Sequence, residues 1–192
     1  MAGGSRAIGV LALQGGVAAH VKHLTELGAE TREVRTPDNL DGLDGIVLPG
    51  GESTTMMLGI EREGLLEPLC EFIRSGAPVL ATCAGAIILD DDHLDLLDIT
   101  CTRNAYGAQT HSFEGGVSLG GSPFHGVFIR APRITRVGDD VSVVATRGDE
   151  PVGVRAGAIT AYTFHPELTP DQRIHRNFLE FNFNSIATER AA

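Results

Sequence analysis

Cys83 is the residue in this chain best placed to act as a nucleophile. It sits in Ala77-Pro78-Val79-Leu80-Ala81-Thr82-Cys83-Ala84-Gly85, where a short apolar run, Ala77 to Ala81, leads into a tight turn. Ala84-Gly85-Ala86-Ile87-Ile88-Leu89 then opens a helix. A strand–turn–helix with small residues on both sides of a Cys or Ser is the pattern of a nucleophile elbow. The small neighbours allow a sharp turn and close approach by a substrate. The unpaired N–H groups and positive end of the helix favour a thiolate and a developing oxyanion. The competing reading is a buried structural cysteine, because free Cys is among the most buried residue types.

A second segment bears on that choice. Ala161-Tyr162-Thr163-Phe164-His165-Pro166-Glu167 reads as a strand that delivers His165 and then turns. Pro166 biases the residue before it toward extended geometry. A cysteine nucleophile needs a base within hydrogen-bond reach, and the base needs an orienting acceptor. His165 and Glu167 have the chemistry for those two roles. Alone, His-Pro-Glu is an ordinary strand-end turn. With the elbow in the same chain, each segment explains the other.

Other segments are more ambiguous. Leu48-Pro49-Gly50-Gly51-Glu52-Ser53-Thr54-Thr55 is a Gly-rich turn at a strand end. It lacks the Lys and spacing of a phosphate loop. It reads either as a plain turn into a helix capped by Ser53 or Thr54, or as an oxyanion hole with Gly51 presenting its backbone N–H. Asp90-Asp91-Asp92-His93-Leu94-Asp95 resembles a calcium loop, but Leu94 breaks the alternation such a loop needs; a solvated acidic loop is expected. Arg103, Arg130, Arg133 and Arg136 read as solubility or weak ion-pair residues at the surface, and His20, His23, His93, His111, His125 and His175 as structural or surface residues.

Positioning these groups requires a particular framework. Ile8 to Leu13 reads as a strand, Val17 to Leu27 as a helix, Glu30 to Arg35 and Gly45 to Leu48 as strands, and Leu65 to Ile73 as a helix before the Cys83 strand. This alternation predicts an α/β fold with a mostly parallel sheet and helices on both faces. Loops at the C-terminal ends of its strands then gather Gln14, the Gly50–Ser53 turn and Cys83 on one edge. Short runs at 99–103, 116–119, 126–129, 141–146 and 151–155, separated by Gly and Pro, predict an antiparallel portion. Thr169-Pro170-Asp171-Gln172 reads as a capping box. It starts a last helix with Ile174, Phe178, Phe181 and Ile186 on its core stripe.

The 192 residues suffice for one domain, expected to span 1–192. The formal charge is −10, from 15 Lys plus Arg against 25 Asp plus Glu, which argues against nucleic acid or an anionic membrane as partner. Cys70, Cys83 and Cys101 have neither zinc-site nor disulfide-framework spacing, so no metal is expected and a reducing cytoplasm is the natural setting. Ala7 to Leu13, after Arg6, reads as a core strand rather than a signal peptide, and no segment approaches the length of a membrane span.

Taken together, the chain resembles the class I (triad) glutamine amidotransferases. Within them it is most similar to the glutaminase subunits of pyridoxal 5′-phosphate synthase. The resemblance lies in Gly9–Gly15, Leu48–Met56, Thr82–Gly85, Arg103–Gly107, Gly126–Pro132 and Phe164–Leu168. It implies a three-layer, flavodoxin-like fold in which Cys83 is the nucleophile, His165 the acid/base and Glu167 its orienter. It further implies that Gly51, Glu52, Ser53, Arg103, Ile129 and Arg130 hold L-glutamine, that Gly51 and Ala84 N–H groups form the oxyanion hole, and that Gln14 lies at the contact with a synthase subunit. Glutamine would be hydrolysed to glutamate, with ammonia passing to a (β/α)₈ synthase in a large hetero-oligomer and no cofactor bound by this chain. The sequence departs from the family at Ala81, commonly Gly, at Ala108, commonly Arg, and in a shorter, acidic stretch between Leu89 and Leu94. Alternative readings are a glutaminase serving another ammonia-dependent synthase, a non-catalytic assembly subunit and a thiol peptidase. The Glu52 and Arg130 positions suit a free amino acid better than a peptide.

Overall fold

The computed structural model describes residues 5–103 and 112–180. Asn104 to Gly107 of the family-like segment, Ala108, His111, and Phe181 and Ile186 of the expected core stripe lie outside the described residues. Strand β1 (Ala7–Leu11) runs into helix α1 (Val17–Glu26), β2 (Glu30–Val34), β3 (Gly45–Leu48), α2 (Ser53–Arg62), α3 (Leu66–Arg74), β4 (Val79–Thr82) and α4 (Ala84–Leu89). Then follow β5 (Ile99–Thr102), β6 (Phe113–Leu119), β7 (Ser122–Phe128), β8 (Arg133–Val137), β9 (Ser142–Arg147), β10 (Glu150–Ala156) and β11 (Ile159–Tyr162). A final helix, α5, covers 173–180.

The main sheet has the order β2-β1-β3-β4-β11-β10-β9-β6-β7. Pairing is parallel from β2 through to β11 and antiparallel from β11 to β7. β5 and β8 form a separate antiparallel ribbon. Strand β1 sits between β2 and β3, so the winding reverses there and opens a crevice at the C-terminal ends of the strands. Strand β4 lies between β3 and β11, with Leu48 beside Ala81 and Tyr162 beside Thr82. The three chain segments leaving these strands therefore emerge side by side.

Alternation along the strands sends residues to opposite faces. Ile46, Leu48, Val79 and Ala81 join one core with Met56, Ile60, Leu69, Ile73 and Ile87 from α2, α3 and α4. Ile8, Val10, Val47 and Leu80 join the other with Leu24 of α1 and Ile174 and Phe178 of α5. The result is three layers. The strands β3 and β4 are buried along their whole length, which is why they read as unbroken apolar runs. Among the described residues no helix is long and apolar enough to cross a membrane.

Some local expectations change. Strand β8, not expected as a strand, contains Arg133 and Arg136, which form surface ion pairs: Arg133 with Glu150, and Arg136 with Asp91 and Asp98. Asp90 is fully buried, not solvated. It accepts from His93 Nδ1 (2.6 Å) and from the backbone N–H groups of Asp92 and Cys101 (3.1 and 3.2 Å), so it ties the end of α4 to β5. At 169–172 no reciprocal capping box forms. Gln172 Nε2 donates instead to Glu26 (2.6 Å), and Asp171 accepts the Arg173 N–H (3.0 Å).

Candidate active site

Cys83 has φ 48 and ψ −106, a left-handed conformation rare for a non-glycine residue. Several backbone contacts hold it there. Its N–H donates to Tyr162 O (2.8 Å), which extends the β4–β11 ladder by one residue. Its carbonyl accepts from Ala86 (3.1 Å) and Ile87 (3.4 Å) N–H, the first bonds of α4. The N–H of Ala84 precedes those bonds, so it is one of the donors a helix start leaves over. Helix α4 itself is wholly buried, and Gly85 lets it lie against β3: a Cβ there would stand 2.1 Å from Leu48 O. The Cys83 thiol is nearly buried and donates to the carbonyl of Ile129 at 3.8 Å.

His165 follows β11. Its N–H donates to Val127 O (2.8 Å), and its side chain is buried. Nδ1 donates to Glu167 Oε1 (2.7 Å), which leaves Nε2 for the Cys83 side. Burial opposes charge on this ring, but hydrogen bonding to Cys83 and Glu167 and their negative charge outweigh it and push its pKa up to about 10. Nε2 nonetheless completes no well-angled hydrogen bond. Glu167 is also buried. Burial would raise its pKa, yet the interaction with the facing His20 ring and the hydrogen bond and charge of His165 hold it below the ordinary value.

The Gly50–Gly51 turn closes the cleft. Gly50 is a glycine for room, since a Cβ there would lie 2.3 Å from His165 Cε1 and 3.2 Å from Cys83 Cβ. Its carbonyl accepts the Gly16 N–H (2.9 Å), which sets the plane of the Gly50–Gly51 peptide. Gln14 Oε1 accepts the Glu52 N–H (2.6 Å) and lies against Gly51. Helix α2 is capped by Glu52, not by Ser53 or Thr54. The Glu52 carboxylate accepts from Thr54 N (3.2 Å), Thr55 N (2.7 Å) and Thr55 Oγ1 (2.7 Å). The Thr55 hydroxyl first, and then those backbone donors, lower its pKa to about 2. Arg103 reaches over the same helix start, donating to Thr54 Oγ1 (2.9 Å) and Ser53 Oγ (3.4 Å). Arg130, beside Ile129, also has positive φ (45).

Gln14, Gly51, Glu52, Ser53, Cys83, Arg103, Ile129, Arg130, His165 and Glu167 thus line one cavity of about 530 Å³. Ala84 is the one expected site residue that does not line it, though it adjoins Cys83. A cavity of about 590 Å³ elsewhere is lined by Leu80, Val144, Tyr162, Ile174 and Phe178 and holds no nucleophile–base pair, so chemistry favours the Cys83 cleft.

A model of the SNO glutamine amidotransferase family matches residues 10–184. The chain belongs to the SNO glutamine amidotransferase family. It is 51% identical over 181 residues to the pyridoxal 5′-phosphate synthase subunit PdxT of Geobacillus thermodenitrificans, covering 90% of this chain and 93% of that one. To the subunit of the same name from Thermotoga maritima it is 50% identical over 183 residues, covering 90% and 97%. A crystal structure of a glutamine amidotransferase superposes with a TM-score of 0.86 at 43% identity, covering 91% of this chain and 98% of that one.

Sequence reasoning did not place two structural histidines beside this cleft. His20 and His175, read as structural or surface residues, are fully buried behind Glu167. His20 Nε2 stands 3.4 Å from Glu167 Oε2, and His20 Nδ1 is 2.9 Å from His175 Nε2. The signal was present: His20 falls on the apolar stripe of α1, between Val17 and Leu24. A polar residue on a core stripe is the informative exception.

Proposed function

We propose that Cys83, His165 and Glu167 form the triad with which this amidotransferase hydrolyses the side-chain amide of L-glutamine to glutamate and ammonia. The Cys83 sulfur attacks the amide carbon. The carbonyl oxygen becomes an oxyanion facing the N–H groups of Ala84 and Gly51, and one such donor is typically worth ~3–4 kcal/mol. His165 Nε2–H gives its proton to the departing nitrogen, which leaves as ammonia. A water molecule then loses a proton to the same nitrogen and opens the γ-glutamyl thioester, which returns the thiolate. Glu167 keeps the ring oriented and compensates its charge in both halves.

The observation that carries this reading is Cys83 held at φ 48 on the elbow, in one cleft with the hydrogen-bonded His165–Glu167 pair. Substrate selection falls to the cleft wall. Arg103 and Arg130 suit an α-carboxylate, while Glu52, Ser53 and the Ile129 carbonyl suit an α-ammonium group. That combination fits a free amino acid rather than a peptide.

The chain is the glutaminase of a pyridoxal 5′-phosphate synthase and serves vitamin B6 formation. Ammonia passes to a (β/α)₈ synthase subunit docked over Gln14 and the Glu52 turn, in a large hetero-oligomer in the cytoplasm. The buried free thiols Cys70 and Cys101 support a reducing compartment.

The test is glutamate release by the chain with its synthase partner. Cys83→Ala should remove activity while the protein stays folded and binds the partner. Cys70→Ala and Cys101→Ala should keep it. Labelling of Cys70 or Cys101 instead of Cys83 by a thiol-directed glutamine analogue would overturn the assignment.

A further inference from the structure

Glu167 has two carboxylate oxygens, and the triad uses one. Oε1 accepts from His165 Nδ1. Oε2 is buried and forms no well-angled hydrogen bond, and the donor facing it is His20 Nε2 at 3.4 Å. The His20 ring is fully enclosed. Thr82 Oγ1 of β4 lies 3.2 Å from Nε2, and His175 Nε2 of α5 lies 2.9 Å from Nδ1. His23, one turn further along α1, stacks on His175 with ring centroids 4.6 Å apart. A line of buried imidazoles thus runs from α5 through α1 to the carboxylate that orients the catalytic base.

The proton arrangement along this line follows from what each end accepts. His20 and His175 are neutral: burial, and then the neighbouring histidines, hold their pKa values at about 4 and about 2, although the Glu167 charge pulls the first upward. A neutral imidazole carries one N–H and one bare nitrogen. Ionised Glu167 is an acceptor only, so a bare His20 Nε2 would set a lone pair against a carboxylate. The other arrangement puts the hydrogen on Nε2, shared between Thr82 Oγ1 and Glu167 Oε2. His20 Nδ1 is then bare and accepts from His175 Nε2–H. The remaining His175 Nδ1, buried and unpaired, is in this tautomer an acceptor rather than an orphaned donor, the less costly alternative. Both ends of the line therefore select the same tautomer.

We infer that His20, set in its Nε2–H tautomer by His175, is a positioning residue for the glutaminase reaction. It presents an N–H to the second oxygen of Glu167 and so fixes the carboxylate that holds His165. This inference rests on the triad reading above. His20 does not line the Cys83 cleft, so the proposed effect runs through Glu167 rather than through contact with substrate. Its loss should lower kcat and leave KM for glutamine nearly unchanged.

Three measurements test it. In the complex with synthase, His20→Leu should reduce kcat roughly 10-fold, the scale of outer partners in other sites. His20→Gln, which keeps an N–H donor near the Nε2 position, should recover most of the loss. In a Glu167→Gln background the same His20→Leu change should cost less than about twofold, because the partner it acts through is gone. Should His20→Leu fail to fold, imidazole nitrogen NMR of the wild-type chain still decides the matter. The inference requires a protonated Nε2 and a bare Nδ1 on His20. The opposite tautomer would overturn it, as would equal kcat losses for His20→Leu in both backgrounds or full activity of His20→Leu. None of these outcomes touches the triad, which stands or falls on Cys83→Ala.

Discussion

Gly50→Ala is a small change with a large expected effect on catalysis. Gly50 does not have positive φ, so an alanine escapes the left-handed penalty there. The whole effect comes from space. The added Cβ would lie 2.3 Å from His165 Cε1, 2.8 Å from Nδ1 and 3.2 Å from Cys83 Cβ. Carbon atoms pack at ~3.5–4.0 Å, so the ring must retreat by roughly 1 Å. It cannot do so freely: Glu167 Oε1 holds Nδ1 at 2.7 Å, and the backbone N–H is fixed to Val127 O at 2.8 Å. A displacement of ~1 Å between reacting groups can cost about a hundredfold in rate. Overpacking by one methyl costs ~1–3 kcal/mol of stability, which the chain should survive. The assay is kcat/KM for glutamate release with synthase present, beside a melting curve. A folded Gly50→Ala protein with wild-type kcat/KM would refute the claim that this glycine exists to admit the imidazole.

Two further outcomes follow from the same geometry. Glu167→Gln should lower kcat by about 10²–10⁴-fold with little change in KM, since an amide cannot compensate an imidazolium; unchanged kcat would remove Glu167 from the triad. Stability should fall as pH drops below neutrality. The folded-state pKa values of His20 and His175, about 4 and about 2, lie below the ordinary 6.5. From pH 6.5 downward the unfolded chain therefore binds protons that the folded chain refuses, at up to ~1.4 kcal/mol per pH unit for each group. Glu167, lowered below its ordinary value, adds a loss in the same direction at still lower pH. His165 acts oppositely: its contribution is complete below 6.5 and disappears as pH rises through about 10. Urea midpoints for wild type and His175→Phe at pH 7 and pH 5 check the acid side. The variant should show the flatter dependence, and equal slopes would contradict buried neutral His175.

The framework and the meeting of Cys83, His165 and Glu167 in one cleft were legible because their causes are local. An apolar run, a small-residue turn and a buried helix start write the elbow into neighbouring residues, and Pro166 marks the end of the β11 segment. What sequence hid depends on contacts between distant residues. At strand β8 the particular partners of Arg133 and Arg136, namely Glu150, Asp91 and Asp98, are brought near only by the fold. Asp90 reads as part of an acidic loop because nothing local reveals that Cys101 N–H and His93 will satisfy it in the interior. At the start of α2, propensity favours Ser53 or Thr54 as the cap. Glu52 wins because Gln14 fixes its N–H and leaves its carboxylate above the Thr54 and Thr55 amides.

The two halves of the proposed reacting pair are held by different means. Cys83 is fixed by main chain: an N–H in the β4–β11 ladder, a carbonyl in α4, and a helix seated on β3 through Gly85. Its left-handed backbone costs on the order of 1–3 kcal/mol, and that surrounding hydrogen bonding keeps it in place. The sulfur itself has a long contact to Ile129 O and faces His165, so no main-chain bond ties it down against the proposed attack. His165 is fixed by side chain, through Glu167 and the buried ring behind it. A group that must take up and release a proton cannot be locked by a single unchanging bond. It needs a charged acceptor whose orientation stays constant while the ring's charge changes. In the proposed reaction, an acceptor at the sheet's C-terminal edge, with its second oxygen turned to His20 between α1 and β4, would separate the steady part of the site from the part that reacts.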